Sequence, residues 1–138
     1  SPARGAALAV HAKRLAERLI EHGFTLVSGG TDTHLILIDL RPRDMRGKPL
    51  AKALSRAHIV TNFNTVPGDA ASPLNPNGLR LGTPAVTTRG MTETEMDQIA
   101  SWITRIAEHG DDEEEIAKIG HEVEELCARF PVPDYYVA

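Results

Sequence analysis

The chain has 138 residues, of which 41% are hydrophobic and 25% charged. That is the size and composition of one soluble domain able to bury a single core. The 15 basic and 19 acidic residues leave a formal net charge of -4, a mild acidity that argues against a nucleic-acid surface, and no apolar run is long enough to span a membrane.

The N-terminus shows no secretory pattern. Cys127 is the only cysteine, so no internal disulfide can form and a reducing, cytoplasmic setting is expected.

Leu8, Ala12, Leu15 and Leu19 recur at helical steps and predict a first helix with Arg14, Glu17, Arg18 and Glu21 on its polar face, stopped by Gly23. Phe24 to Val27 reads as a short strand and Ser28 to Asp32 as a turn. The apolar run Leu35 to Ile38 reads as a strand covered on both faces, so the two strands make a hairpin. Arg41-Pro42 ends it. After a loop, Pro49 suits the first turn of a short helix carrying Leu50, Ala53, Leu54 and Ala57. Ile59 to Thr61 reads as another strand. Residues 62–77, rich in Asn, Pro, Gly and Asp, read as a long ordered loop of the kind that carries function. Gly78 to Gly82 is strand-like.

Two helices follow. Thr92-x-x-Glu95 is a capping box, and Met96, Ile99, Ile103 and Ile106 form the stripe of a helix ended by Gly110. Asp111 is the expected cap of the last helix, whose core side is Ile116, Ile119, Val123, Leu126 and Phe130 and which Pro131 stops. The order predicts an α+β fold, a small antiparallel-type sheet covered by helices.

Most candidate sites have a structural explanation. The acidic run Asp111 to Glu115 suits a helix start, where carboxylates meet free N–H groups and the positive end of the macrodipole. The histidines at 11, 22, 34, 58, 109 and 121 fall in no zinc spacing, and no metal site is expected. His11 and His22 flank the first helix and are expected to be exposed. His109 suits a helix C-terminus, and His34, at the entrance of the most apolar strand, reads as a buried, hydrogen-bonded residue rather than a catalytic base. Cys127 reads as a small residue on the buried side of the last helix. Gly29-Gly30 lacks the spacing of a phosphate loop.

Arg80 stands apart. If residues 78–82 are extended, Leu79 and Leu81 face one side and Arg80 the other, and Gly78 and Gly82 permit close approach by a backbone or ligand. A guanidinium fixed on a strand is a good bidentate carboxylate clamp, although from spacing alone a solvated surface arginine is the commoner reading. Arg89, just before Gly90, shares the ambiguity. Asn62, Asn64 and Asp69 in the long loop fit either turn chemistry or recognition of a polar ligand.

Four segments carry a resemblance. Ser28-Gly29-Gly30-Thr31-Asp32-Thr33-His34-Leu35 resembles the Ser-Gly-Gly-Thr-Asp-Asn-His-Leu segment of serine hydroxymethyltransferases. Asn62-Phe63-Asn64-Thr65-Val66-Pro67 is similar to their Asn-Lys-Asn-x-Val-Pro loop. Residues 78–90, Gly-Leu-Arg-Leu-Gly-Thr-Pro-Ala-Val-Thr-Thr-Arg-Gly, resemble their most distinctive small-domain motif. Cys127-Ala128-Arg129-Phe130-Pro131-Val132-Pro133 resembles the family's tail. All four come in the family's order. Phe63, Thr33 and Asn77 depart from it, standing where Lys, Asn and Ser are common.

The resemblance implies that residues 1–138 are the C-terminal small domain of a fold-type-I, pyridoxal-phosphate-dependent transferase of one-carbon metabolism and glycine biosynthesis. The full enzyme interconverts serine plus tetrahydrofolate with glycine plus 5,10-methylenetetrahydrofolate. Arg80 then matches the arginine that grips the substrate carboxylate, Arg89 a supporting arginine, and Asn64 the residue that contacts the folate. The Schiff-base lysine and most of the cofactor site are expected upstream, so no catalytic residue is expected in this chain, which alone is expected to be inactive. The implied partners are serine or glycine, folate, the enzyme's own large domain, and further copies in a homodimer or homotetramer. Two alternatives stay open: the small domain of another fold-type-I enzyme such as an aminotransferase, or a non-catalytic binding or regulatory module.

Overall fold

The computed structural model describes residues 2–27, 35–82 and 90–130, with side chains described from residue 10 onward. The elements run α1 (Pro2–Glu21), β1 (Thr25–Leu26), β2 (Leu35–Asp39), a 3-10 turn (Arg41–Arg43), α2 (Gly47–Arg56), β3 (Asn62–Asn64), β4 (Gly78–Gly82), α3 (Glu93–Glu108) and α4 (Glu113–Arg129). The strands form one antiparallel sheet of order β1-β2-β4-β3. This is the α+β layout that the periodicities predict.

Alternation in the strands decides which face is sealed. Ile36 and Ile38 on β2 stand opposite Leu81 and Leu79 on β4, and all four are buried. They meet the apolar stripes of the helices: Leu15 and Leu19 from α1, Leu50 and Leu54 from α2, Trp102 and Ile103 from α3, Ile116 and Ile119 from α4. The polar side of α1 is used as well. Arg14 holds Asp97 of α3 through a two-pronged contact (Nε–Oδ1 2.8 Å, Nη2–Oδ2 2.9 Å), and Arg18 Nε donates to the same Oδ1 at 2.9 Å. These bonds, led by Arg14, hold the Asp97 carboxyl below its ordinary pKa.

Helix ends follow their chemistry. Gly23 takes a positive φ of 94° where α1 turns into β1, a conformation open to glycine. Thr92 and Glu95 form the capping box of α3. The cap of α4 is Asp112 rather than Asp111: Oδ1 of Asp112 accepts from Glu114 N and Glu115 N, both at 3.1 Å. The acids that follow are engaged, Glu113 with Arg56 and Glu115 with Arg105. α3 closes on His109 rather than Gly110.

Other expectations are corrected. Among the described residues, β2 is covered on one face, where the helices pack against Ile36 and Ile38; on the other, Leu35 is 50% exposed and Leu37 half-buried. The third strand is Asn62–Asn64, not 59–61. Residues 57–59 are used to leave α2: His58 adopts a left-handed φ of 66°, and Ile59 N donates back to Leu54 O at 2.9 Å. His11 is half-buried rather than exposed, and its Nδ1 is buried without a partner among the described residues. Cys127 is exposed, off the buried side of α4, although partial desolvation still raises its thiol pKa. His34, the Ser28–Asp32 turn, the Leu8 side chain and Pro131 lie outside the described residues. Among those described, no helix is long and apolar enough to cross a membrane.

Candidate functional site

The face of the sheet opposite the helices carries the candidate site. Arg80 sits mid-strand in β4, paired in register with Leu37 on β2 and Asn62 on β3. Leu79 and Leu81 are buried while Arg80 is exposed, which is the alternation expected of it. Asn64 lies across from Gly78, so by register it is the diagonal neighbour of Arg80 on the same face, a separation of about 7–8 Å. The structure thus brings Arg80, Asn62 and Asn64 together. Arg89 lies outside the described residues.

Arg14, Arg18, Arg41, Arg56 and Arg105 each hold a carboxylate. Among the described residues none reaches Arg80. Asp39, the acid nearest to it by register, shares its face of the sheet but is already engaged. Arg41 grips it with Nε–Oδ1 at 3.0 Å and Nη2–Oδ2 at 2.8 Å, and this grip is the main cause of its lowered pKa. Arg80 is therefore an uncommitted fork on a rigid strand, suited to an external planar anion.

Asn64 is half-buried, and its Nδ2 donates to Thr65 O at 2.9 Å. The chain from Thr65 to Asn77 folds around Asp69, whose carboxylate accepts four donors. Oδ1 takes Ala71 N and Asn77 Nδ2, each at 2.8 Å, and Oδ2 takes Asn77 N at 2.9 Å and Val66 N at 3.3 Å. These bonds, led by the Asn77 amide, hold its pKa down to about 2. The loop is also tied outward: Leu40 N donates to Asn77 O and Gly47 N to Pro76 O, both at 2.8 Å, and Arg46 Nη1 to Asn75 O at 2.8 Å.

A pH dependence follows. The folded pKa of Asp69 lies below its ordinary 3.8, so its contribution to stability is complete above that ordinary value and disappears as pH falls through the folded one. A carbon-detected NMR titration of its carboxyl is expected to show a midpoint near 2; a midpoint at the ordinary carboxylate value would mean that the four bonds do not persist in solution.

Sequence reasoning singled out Arg80 and Asn64 but not Asn62 as the partner of Arg80, nor Asp69 as the organiser. The first needed strand register. For the second, the turn chemistry offered for Asp69 holds, Ala71 N donating to its Oδ1 two residues on, but its long-range bonds to Asn77 were not legible.

The geometry is that of an α+β domain whose outer sheet face presents, on an inner strand beside two amide side chains, a guanidinium that no carboxylate engages among the described residues. The model of the family described as serine hydroxymethyltransferase matches residues 5–103. The chain is 50% identical over 126 residues to a serine hydroxymethyltransferase of Sorangium cellulosum, covering 91% of this chain and 30% of that protein. It is 52% identical over 132 residues to one of Acidothermus cellulolyticus, covering 91% of this chain and 31% of the relative. It is 48% identical over 122 residues to one of Halorhodospira halophila, covering 88% and 29%. The chain belongs to the serine hydroxymethyltransferase family and spans about 30% of the length of these curated relatives.

Proposed function

We propose that residues 1–138 form the C-terminal small domain of a pyridoxal-phosphate-dependent serine hydroxymethyltransferase, acting in the cytoplasm as a homodimer or homotetramer. The reaction moves the hydroxymethyl carbon of serine to tetrahydrofolate, leaving glycine. The observation that carries this reading is the Arg80 fork on the outer sheet face, beside Asn62 and Asn64 and engaged by no carboxylate among the described residues.

In this reading Arg80 clamps the amino-acid carboxylate through two parallel N–H···O bonds. Fixing both oxygens removes rotation about the carboxylate axis, so the bond to be cleaved is held in one orientation. Asn64 meets the folate with its side-chain amide, and Arg89 assists at the anion.

The described residues do not fit the cofactor itself. Lys13 lies on α1, Lys48 and Lys52 on α2, and Lys118 on α4, all on elements that cover the core face rather than the Arg80 face. The cofactor lysine therefore belongs to a large domain outside residues 1–138, and this chain alone turns over no serine. Mixing it with pyridoxal phosphate, reducing with borohydride and mapping the product by mass spectrometry is expected to yield no stoichiometric adduct. A stoichiometric adduct at one lysine would overturn that assignment.

A further inference from the structure

The β3–β4 ladder ends in register at the pair Asn64–Gly78. Beyond it the two chains diverge, yet they remain joined by a side chain. Oδ2 of Asp69 accepts both Val66 N, which follows β3, and Asn77 N, which precedes β4. One carboxylate oxygen thus replaces the rung that a longer ladder would supply. Oδ1 fixes the same carboxylate through Ala71 N and Asn77 Nδ2. The far side of the loop is held independently, Arg41 reaching Pro67 O and Gly68 O, each at 3.4 Å.

We infer that Asp69 is a positioning residue for the folate side of the site: its carboxylate closes the end of the β3–β4 ladder and so fixes Asn64 relative to Arg80. The inference rests on the folate role proposed for Asn64. Arg80 is two residues further along β4 and is paired on both sides by backbone ladders, so its placement does not depend on this clip. Asp69 therefore acts on one ligand and not on the other.

All four partners of Asp69 are donors, so the group must be an acceptor at both oxygens. Asp69→Asn is nearly isosteric, but either orientation of its amide sets an NH2 group against two N–H donors. In the full-length holoenzyme this variant is expected to raise the KM for tetrahydrofolate by about tenfold or more. The serine KM, and kcat at saturating folate, are expected to stay within about twofold of wild type. Asn77→Ala removes only the Nδ2–Oδ1 bond; it is expected to raise the same KM by about threefold and carries the test if Asp69→Asn does not fold. An unchanged folate KM in the variant that folds overturns the inference. So does a parallel rise of both KM values with a fallen thermal midpoint, since that is the signature of general loosening. Asn64→Ala is measured alongside. If it alone raises the folate KM, the folate reading stands and the role of Asp69 fails; if it leaves that KM unchanged, the folate reading fails and takes this inference with it.

Discussion

Arg80→Ala in the full-length enzyme is expected to weaken glycine and serine binding by about a hundredfold or more, with the cofactor still bound. The reason is the combination seen on β4: the side chain is exposed, and among the described residues its guanidinium is committed to no acid, so its donors are available to a ligand. Bonds to a charged group contribute about 1.5–3 kcal/mol each, and a bidentate pair makes two. Arg80→Lys is expected to recover little, because an ammonium is a point charge that cannot reproduce the fork. The fold is not at stake, since Arg80 lies outside the core and its strand is held by neighbours on both sides. Spectral titration with glycine and a thermal scan together check the result. Near-normal glycine affinity in the alanine variant would remove Arg80 from the site, and a collapsed thermal midpoint would reassign it to stability.

The second large effect is on stability. Gly47 opens α2 and Gly78 opens β4, and they meet. A Cβ on Gly47 would run into the Gly78 carbonyl oxygen and come within 2.9 Å of Phe63 Cβ. A Cβ on Gly78 would strike the Asn64 carbonyl oxygen and approach Val66 Cγ1 to 2.7 Å. In each case the first obstacle is backbone, which cannot turn aside as a side chain end can. Either substitution to alanine is expected to destabilise the protein by about 3 kcal/mol, against a total of about 5–15 kcal/mol for a typical domain. Urea unfolding of the two variants checks this. A loss below about 0.5 kcal/mol, the range of an ordinary surface change, would mean that the close approach at that glycine relaxes freely.

Residue types told more about the helices than about the strands. The stripes of α1 and α3 and the Thr92–Glu95 box were legible because period and capping chemistry act within a few residues. β3 was not. Its sequence, Asn62-Phe63-Asn64, has none of the β-branched residues that mark a strand, and it is extended because β4 offers a partner. Ile59 and Val60 look more like a strand but serve to leave α2. The one-sided cover of β2 was hidden for a similar reason. An apolar run fits burial on two faces, and nothing in Leu35 to Ile38 says which cover comes from this chain. For the site, alternation alone placed Arg80 opposite Leu79 and Leu81. Its neighbours Asn62 and Asn64 followed only from register, which is a relation between distant segments.

The one-sided sheet has a consequence for assembly. The core is sealed by side chains from this chain alone, so its hydrophobic collapse need not wait for whatever covers the Arg80 face. Under the proposed function, folding and docking are then separable steps, and docking would bring a finished strand, with its guanidinium already on the outer face, to the large domain's half of the site. When both halves share one polypeptide, that second step runs at the effective concentration set by the tether, about millimolar for a short flexible linker, instead of at the much lower concentration of free fragments. Weak contacts across the Leu35–Leu37 side of the sheet would then suffice to complete a site that two separate pieces would rarely form.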